Sequence, residues 1–173
     1  LRTRLQRAMA MAIGGDLELA LAFAQTAIAR MRATRQAPVE IAAALRSLAY
    51  LLSRLDRADE VLPVAEELLA IVASEYGSNS VAYAGALMQK AVALANTGQW
   101  PAAVELFTSA RSLMANELGE DNLAVAKLDY SLAHGFLDDN DAAAALPYIA
   151  HAVSVARKTW GETHDDSMRF VLV

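Results

Sequence analysis

Cysteine is absent from the 173 residues, which excludes disulfides, thiolate nucleophiles and thiolate metal ligands. No uncharged apolar run approaches the roughly 18 residues that suggest a membrane span, and no leader-like stretch opens the chain. The expectation is a soluble, cytoplasmic protein without membrane contact. Also missing are a Gly-rich phosphate loop, a His-Glu-x-x-His helix and a nucleophile elbow. His151 and His164 have no companions at ligand spacing. Asp138-Asp139-Asn140-Asp141 lacks the glycine and distal glutamate of a calcium loop, and helix capping at a turn accounts for it. No catalytic residue, cofactor or metal is expected, so the chain reads as a non-enzyme.

What is present is alanine and a period. The residues are 55% hydrophobic, with an alanine share that favours helices packed at close range. Gly77, Gly119 and Gly161 are 42 residues apart (119 − 77 = 161 − 119 = 42), and Ala49, Ala91 and Ala133 keep the same step. Leu52, Leu94 and Phe136 follow those alanines by three residues. A fixed period of this size predicts stacked helix pairs. The clearest unit runs from Val81 to Asn122, broken at Thr97-Gly98-Gln99-Trp100-Pro101. Gly98 breaks the first helix and Pro101 suits the start of the second.

The chain divides into pairs at about 1–36, 37–79, 80–121 and 122–164, with a stub helix at 165–173. Helices are expected over Leu1–Ile13, Leu17–Arg32, Val39–Leu55, about Glu60–Tyr76, Leu123–Leu137 and about Ala142–Thr159. Asp16 and Ser78-Asn79-Ser80 offer caps. Phe170 and Leu172 in the stub are placed to cover the fourth pair. With Leu1 rather than methionine at its start and Phe170-Val171-Leu172-Val173 at its end, the chain reads as a piece of a longer protein.

Charge is uneven: residues 1–57 hold nine Arg against four Asp or Glu, and residues 58–173 hold six Lys or Arg against sixteen Asp or Glu. Net acidity argues against nucleic acid, while the basic first third suits an acidic partner.

Aligned on its breaks, the repeat resembles the tetratricopeptide repeat (TPR). The small-large-glycine-small-aromatic-small order appears as Ala91, Leu94, Gly98, Ala103, Phe107 and Ala110, with Trp100 after the turn. Ala133, Phe136, Asn140, Ala145, Ile149 and Ala152 repeat it. Ala49, Leu52, Asp56, Val61, Ala65 and Leu68 match more loosely, and Ala8, Met11, Gly15, Ala20, Ala24 and Ala27 match one residue out of step (49 − 8 = 41). The 42-residue step, against about 34 in the common type, resembles the kinesin light chain type and its bacterial relatives. The connector Gly161-Glu162-Thr163-His164 keeps that type's histidine but has Asp165 where proline is usual. The other reading is an alanine-rich helical bundle, which has no need of a fixed period.

The resemblance implies an all-α, right-handed superhelical solenoid of antiparallel pairs whose first helices line a concave groove that receives a peptide segment of another protein. Carried over position by position, the groove stripes are Leu5, Met9 and Ile13; Arg46, Tyr50 and Arg54; Met88, Val92 and Asn96; and Tyr130, His134 and Asp138. Gln6, Ser47, Gln89 and Ser131 stand where asparagine is usual in the type. Arg46, Tyr50 and Arg54, with Lys127 from a farther helix, suit a carboxylate-bearing segment. They read equally as solvated side chains on a helix face. Met88 and Val92 offer an apolar floor, though periodic apolar residues are more often core. Trp100, Phe107, Tyr148 and Trp160 fall where packing is the expected role. Three functions fit: a peptide-binding interaction module, a scaffold that self-associates through its solenoid ends, or the regulatory region of a larger kinase or transcription regulator.

Overall fold

The structure, a computed structural model, describes residues 16–160. Among them lie seven helices and no strand: α1 (Leu17–Ala33), α2 (Pro38–Arg54), α3 (Ala58–Tyr76), α4 (Val81–Asn96), α5 (Trp100–Leu118), α6 (Leu123–Asp138) and α7 (Ala142–Trp160). The expected first helix, with Leu5, Gln6, Met9 and Ile13, and the expected stub at 165–173 lie outside the described residues. Each helix packs on the one before and the one after it, and α2 also reaches α4.

Connectors alternate between four residues and three, and each kind has its own backbone solution. After α2, α4 and α6, Asp56, Gly98 and Asn140 take φ of 56°, 76° and 61°, one period apart (98 − 56 = 140 − 98 = 42). Each turn closes with paired backbone bonds. Gln99 N–H donates to Leu94 C=O at 2.8 Å, and Asp141 N–H to Phe136 C=O at 2.7 Å. This left-handed cap satisfies carbonyls that the helix end leaves open and sets a large apolar residue beneath the turn. Gly77 and Gly119 serve the four-residue connectors with φ/ψ of 81°/159° and 87°/152°, a region open only to glycine. The connector after α1 instead uses the left-handed turn, with Arg35 at φ 51°. The 41-residue step falls at that boundary.

Ser80 and Asn122 cap α4 and α6, accepting from the backbone N–H of Tyr83 and Ala124. Asp141 Oδ1 accepts from Ala144 N–H, so capping does explain part of the acidic turn. Asp16 corrects an expectation: it stands at the N-cap of α1 but makes no side-chain cap bond. Its ψ of 65° differs from the extended values of Ser80 and Asn122, which aim the side chain at the open N–H groups.

Alanine lets the helices approach. Ala20, Ala24, Ala49, Ala65, Ala91, Ala103 and Ala110 are buried without residual exposure, and leucines fill the space between. Two large apolar clusters share the half-buried Leu62, Leu69 and Tyr83, so the core continues from α1 to α7. Trp100 meets Phe136 edge-on at 5.2 Å, and Phe136 stacks on Tyr148 at 5.8 Å. The packing role expected for Trp100, Phe107 and Tyr148 is what the structure shows.

Candidate interaction surface

The i, i+4 spacing of Arg46, Tyr50 and Arg54 puts all three on one exposed face of α2. Arg54 Nη1 donates to Tyr50 Oη at 2.8 Å, and its guanidinium lies 5.8 Å from the ring centroid. The two therefore form one unit, with the ring 41% exposed. Arg46 borders a cavity of about 120 Å³ between α2, α3 and α4, lined by Ala42, Ala43, Leu68, Val72 and Ala86. Small side chains facing each other across two helices leave that space, and Arg46 is its charged edge.

The α4 stripe is split. Met88 and Val92 are half-buried and packed on the core, so core rather than floor describes them. Gln89 is half-buried. Asn96 is exposed at the helix end and borders a different cleft, about 570 Å³, with Asp56, Arg57, Glu60 and Thr97 at the turns. On α6, His134 Nδ1 lies 3.0 Å from Asp138 Oδ2, and its ring is 6.3 Å from that of Tyr130. Lys127 is exposed on the same helix.

The hydroxyls of Ser47 and Ser131 donate back to Ala43 C=O at 3.2 Å and Lys127 C=O at 3.1 Å. Their donor capacity is spent within the helix, and their oxygens remain as acceptors. The α2 and α6 groups do not adjoin: α2 packs on α1, α3 and α4, and α6 on α5 and α7.

Ion pairs engage some of the basic residues and leave others without an acidic partner. Arg32 pairs with Glu67 and Lys90 with Glu66, while Arg57 pairs with Glu60 and Glu18, and Lys158 with Asp121. Arg46, Arg54 and Lys127 reach no acidic group among the described residues, and neither do Arg30, Arg35 and Arg157. The guanidinium of Arg57 is raised above its ordinary range chiefly by the hydrogen bond to Glu60, and the Asp121 carboxyl is lowered chiefly by that from Lys158.

Sequence reasoning missed one group. Asp129 of α6 is 0% exposed, the one buried charge among the described residues. Arg111 Nε of α5 donates to its Oδ1, and His151 Nδ1 of α7 lies against its Oδ2, both at 2.5 Å. Arg111 also reaches Glu120 at 2.8 Å, and the bond to Asp129 is the largest cause raising its pKa. The repeat phase held the signal. One and two periods earlier, Asp129 is matched by Leu87 and Leu45 (129 − 42 = 87; 87 − 42 = 45), both buried leucines.

Among the described residues no group of three or more His, Cys, Asp or Glu is placed to hold a metal ion. No helix among them is long and apolar enough to cross a membrane.

No family model matches the sequence, and no curated protein does. Solved structures match it in shape. A kinesin light chain-like protein of nearly identical TPR-like repeats from Podosopora anserina superposes with a TM-score of 0.79 at 19% identity, covering 98% of this chain and 81% of that one. A single-residue variant of the same protein superposes at 0.80 with the same identity and coverage. BtubC (BKLC) from P. vanneervenii gives 0.78 at 20% identity, over 94% of this chain and 65% of that one. The fold is therefore the TPR-like solenoid of the kinesin light chain type.

Proposed function

We propose that the chain is a non-catalytic protein-interaction module that takes an extended acidic segment of a partner protein along its first helices. The observation that carries this reading is the exposed cationic and aromatic face of α2, where Arg54 is bonded to Tyr50 and Arg46 lies one turn away. Arg46 and Arg54 on α2 and Lys127 on α6 are exposed and form no ion pair among the described residues, and Arg46, Tyr50 and Arg54 share one face of α2. Uncompensated guanidinium groups favour carboxylates, and the Tyr50–Arg54 unit adds stacking area. Because α2 and α6 are separated by the third pair, the ligand is an extended segment rather than a compact group. Ser47, Gln89, Asn96, Tyr130, Ser131 and His134 supply polar contacts along its path.

Titration of an extended Glu-rich peptide against the chain and against the Arg46→Glu/Arg54→Glu/Lys127→Glu variant tests this. The parent is expected to bind in the micromolar range, more weakly as salt rises, and the variant to lose about tenfold or more with its helical circular dichroism unchanged. Binding untouched by the three reversals but abolished by changes on the second helices would refute the assignment.

A second reading, a self-associating scaffold, rests on Leu146 of α7, 65% exposed. Its counterparts Leu62 and Val104 (146 − 104 = 104 − 62 = 42) are half-buried where the next pair follows. Either the proposed helix at 165–173 or a second copy would cover it. A molar mass that grows with concentration would favour the copy.

A further inference from the structure

The three boundaries between successive pairs are built at equivalent positions from different residues. At the first, Ile28 of α1 and Leu45 of α2 belong to one cluster. At the second, Leu69 of α3 and Leu87 of α4 do so. At the third, the equivalent residues are Arg111 and Asp129 (111 − 42 = 69; 129 − 42 = 87), joined by a 2.5 Å hydrogen bond. A second substitution accompanies this one. Ala58 and Ala93 at the second boundary become Trp100 and Gly135 at the third (100 − 58 = 135 − 93 = 42). The indole lies where a Cβ on Gly135 would be, with Cη2 only 2.1 Å from that point. A leucine pair has become an ion pair, and an alanine pair has become a knob and its socket.

We infer that Arg111–Asp129 and Trp100–Gly135 together form a registry key that admits the fourth pair onto the third and onto no other surface of the repeat. A chain of near-equivalent units risks stacking the wrong ones, above all between copies, where the fourth pair of one molecule can meet the second pair of another. The alanine-lined faces of α5 (Ala103, Ala110) and α6 (Ala126, Ala133) have little relief to oppose a slip. Set against Leu69, Asp129 would lose the Arg111 guanidinium and keep only His151 of its own pair, leaving its buried Oδ1 unsatisfied, which is unfavourable. Set against Ala93, the Trp100 ring would meet a Cβ where Gly135 has none. Both mismatches penalise wrong partners while leaving the right one satisfied, as a single buried polar residue fixes register in coiled coils. His151 of α7 closes the remaining oxygen of Asp129, so the key also fixes the second helix of the fourth pair.

The test gives the third boundary the residues of the second: Trp100→Ala, Arg111→Leu, Asp129→Leu and Gly135→Ala in the full chain, refolded from urea at high concentration. Replacing a buried ion pair by packed apolar residues is commonly neutral or stabilising, whereas Trp100→Ala removes a ring packed on Phe107 and Phe136 and lowers the melting temperature, so the variant is expected to be as helical as the parent but to melt lower. Its misassembled fraction, read as added mass by light scattering or as a second set of amide resonances, should rise about tenfold or more over the parent's. A variant with a single resonance set and the parent's mass overturns the inference. So does failure of Arg111→Leu/Asp129→Leu alone to regain helix, because the pair would then be needed to fold rather than to select.

Discussion

Gly135→Ala is a substitution whose sign depends on one neighbour. Alanine is the better helix former by about 1 kcal/mol in a helix interior, and Gly135 lies inside α6, so helix propensity alone forecasts a gain. The structure forecasts a loss. An added Cβ would stand 2.1, 2.2 and 2.9 Å from three atoms of the Trp100 ring, against about 3.4 Å for ordinary contact, so the ring must retreat by 1.3 Å (3.4 − 2.1). Two sides of the half-buried ring are held: Phe136 meets it edge-on at 5.2 Å and Phe107, 2% exposed, lies at 6.4 Å. Overpacking of this kind costs about 1–3 kcal/mol, which leaves a net loss of roughly 0–2 kcal/mol after the helix gain. In the Trp100→Ala background the obstacle is gone and the same substitution should stabilise by about 1 kcal/mol. Thermal unfolding followed by far-UV circular dichroism on the four proteins of the cycle reads this directly, at roughly 2–4 °C per kcal/mol for a chain of this size. A rise in Tm of equal size in both backgrounds would refute the reasoning, since Trp100 would then place no demand on residue 135.

The two kinds of glycine should separate under one substitution. Gly98→Asn should change stability by no more than about 0.5 kcal/mol, because Asn tolerates the left-handed region and Asn140 already occupies the equivalent position. Gly119→Asn, with no neighbour within 4 Å of its added Cβ and φ/ψ of 87°/152°, should cost about 1–3 kcal/mol from backbone strain alone. Urea midpoints of the two variants compare them. The Lys158–Asp121 pair sets a pH signature: a carboxyl lowered from 3.8 contributes stability that is present above that value and lost as pH falls through its folded value. The Tm difference between the chain and its Asp121→Asn variant should thus hold from neutral pH down to about 4 and close as the pH falls further and the carboxyl is protonated. A difference that persists at the acid end would show that the charge of Asp121 is not its source.

The helices were legible because their signals are local. Turn residues able to take positive φ recur at Asp56, Gly98 and Asn140, and the expected ends at Arg32, Glu60 and Thr159 miss the observed Ala33, Ala58 and Trp160 by one or two residues. The surface was less legible. That Arg46 is free and Lys90 is not depends on where Glu66, 24 residues away in sequence, comes to lie. That Ser47 and Ser131 bond their own helices is a matter of rotamer, which no spacing encodes. Asp129 and Arg111 are 18 residues apart and their pairing was invisible, yet each breaks a run of apolar residues at its place in the period.

That last point inverts the usual weight given to matches in a repeat. Residues that keep the 42-residue step specify a pair and its neighbour in general terms, and any unit could satisfy them. Only the residues that break the step in complementary couples distinguish one boundary from another. The same division separates stability from binding. Charges that hold pairs together, such as Arg111 with Asp129 and Arg32 with Glu67, have their partners inside the chain, and removing one partner leaves the other exposed to its full desolvation cost where it is buried. Arg46, Arg54 and Lys127 have no acidic partner to strand. Reversing them should therefore move affinity for an acidic segment while the melting curve stays in place, a separation that the buried network does not permit.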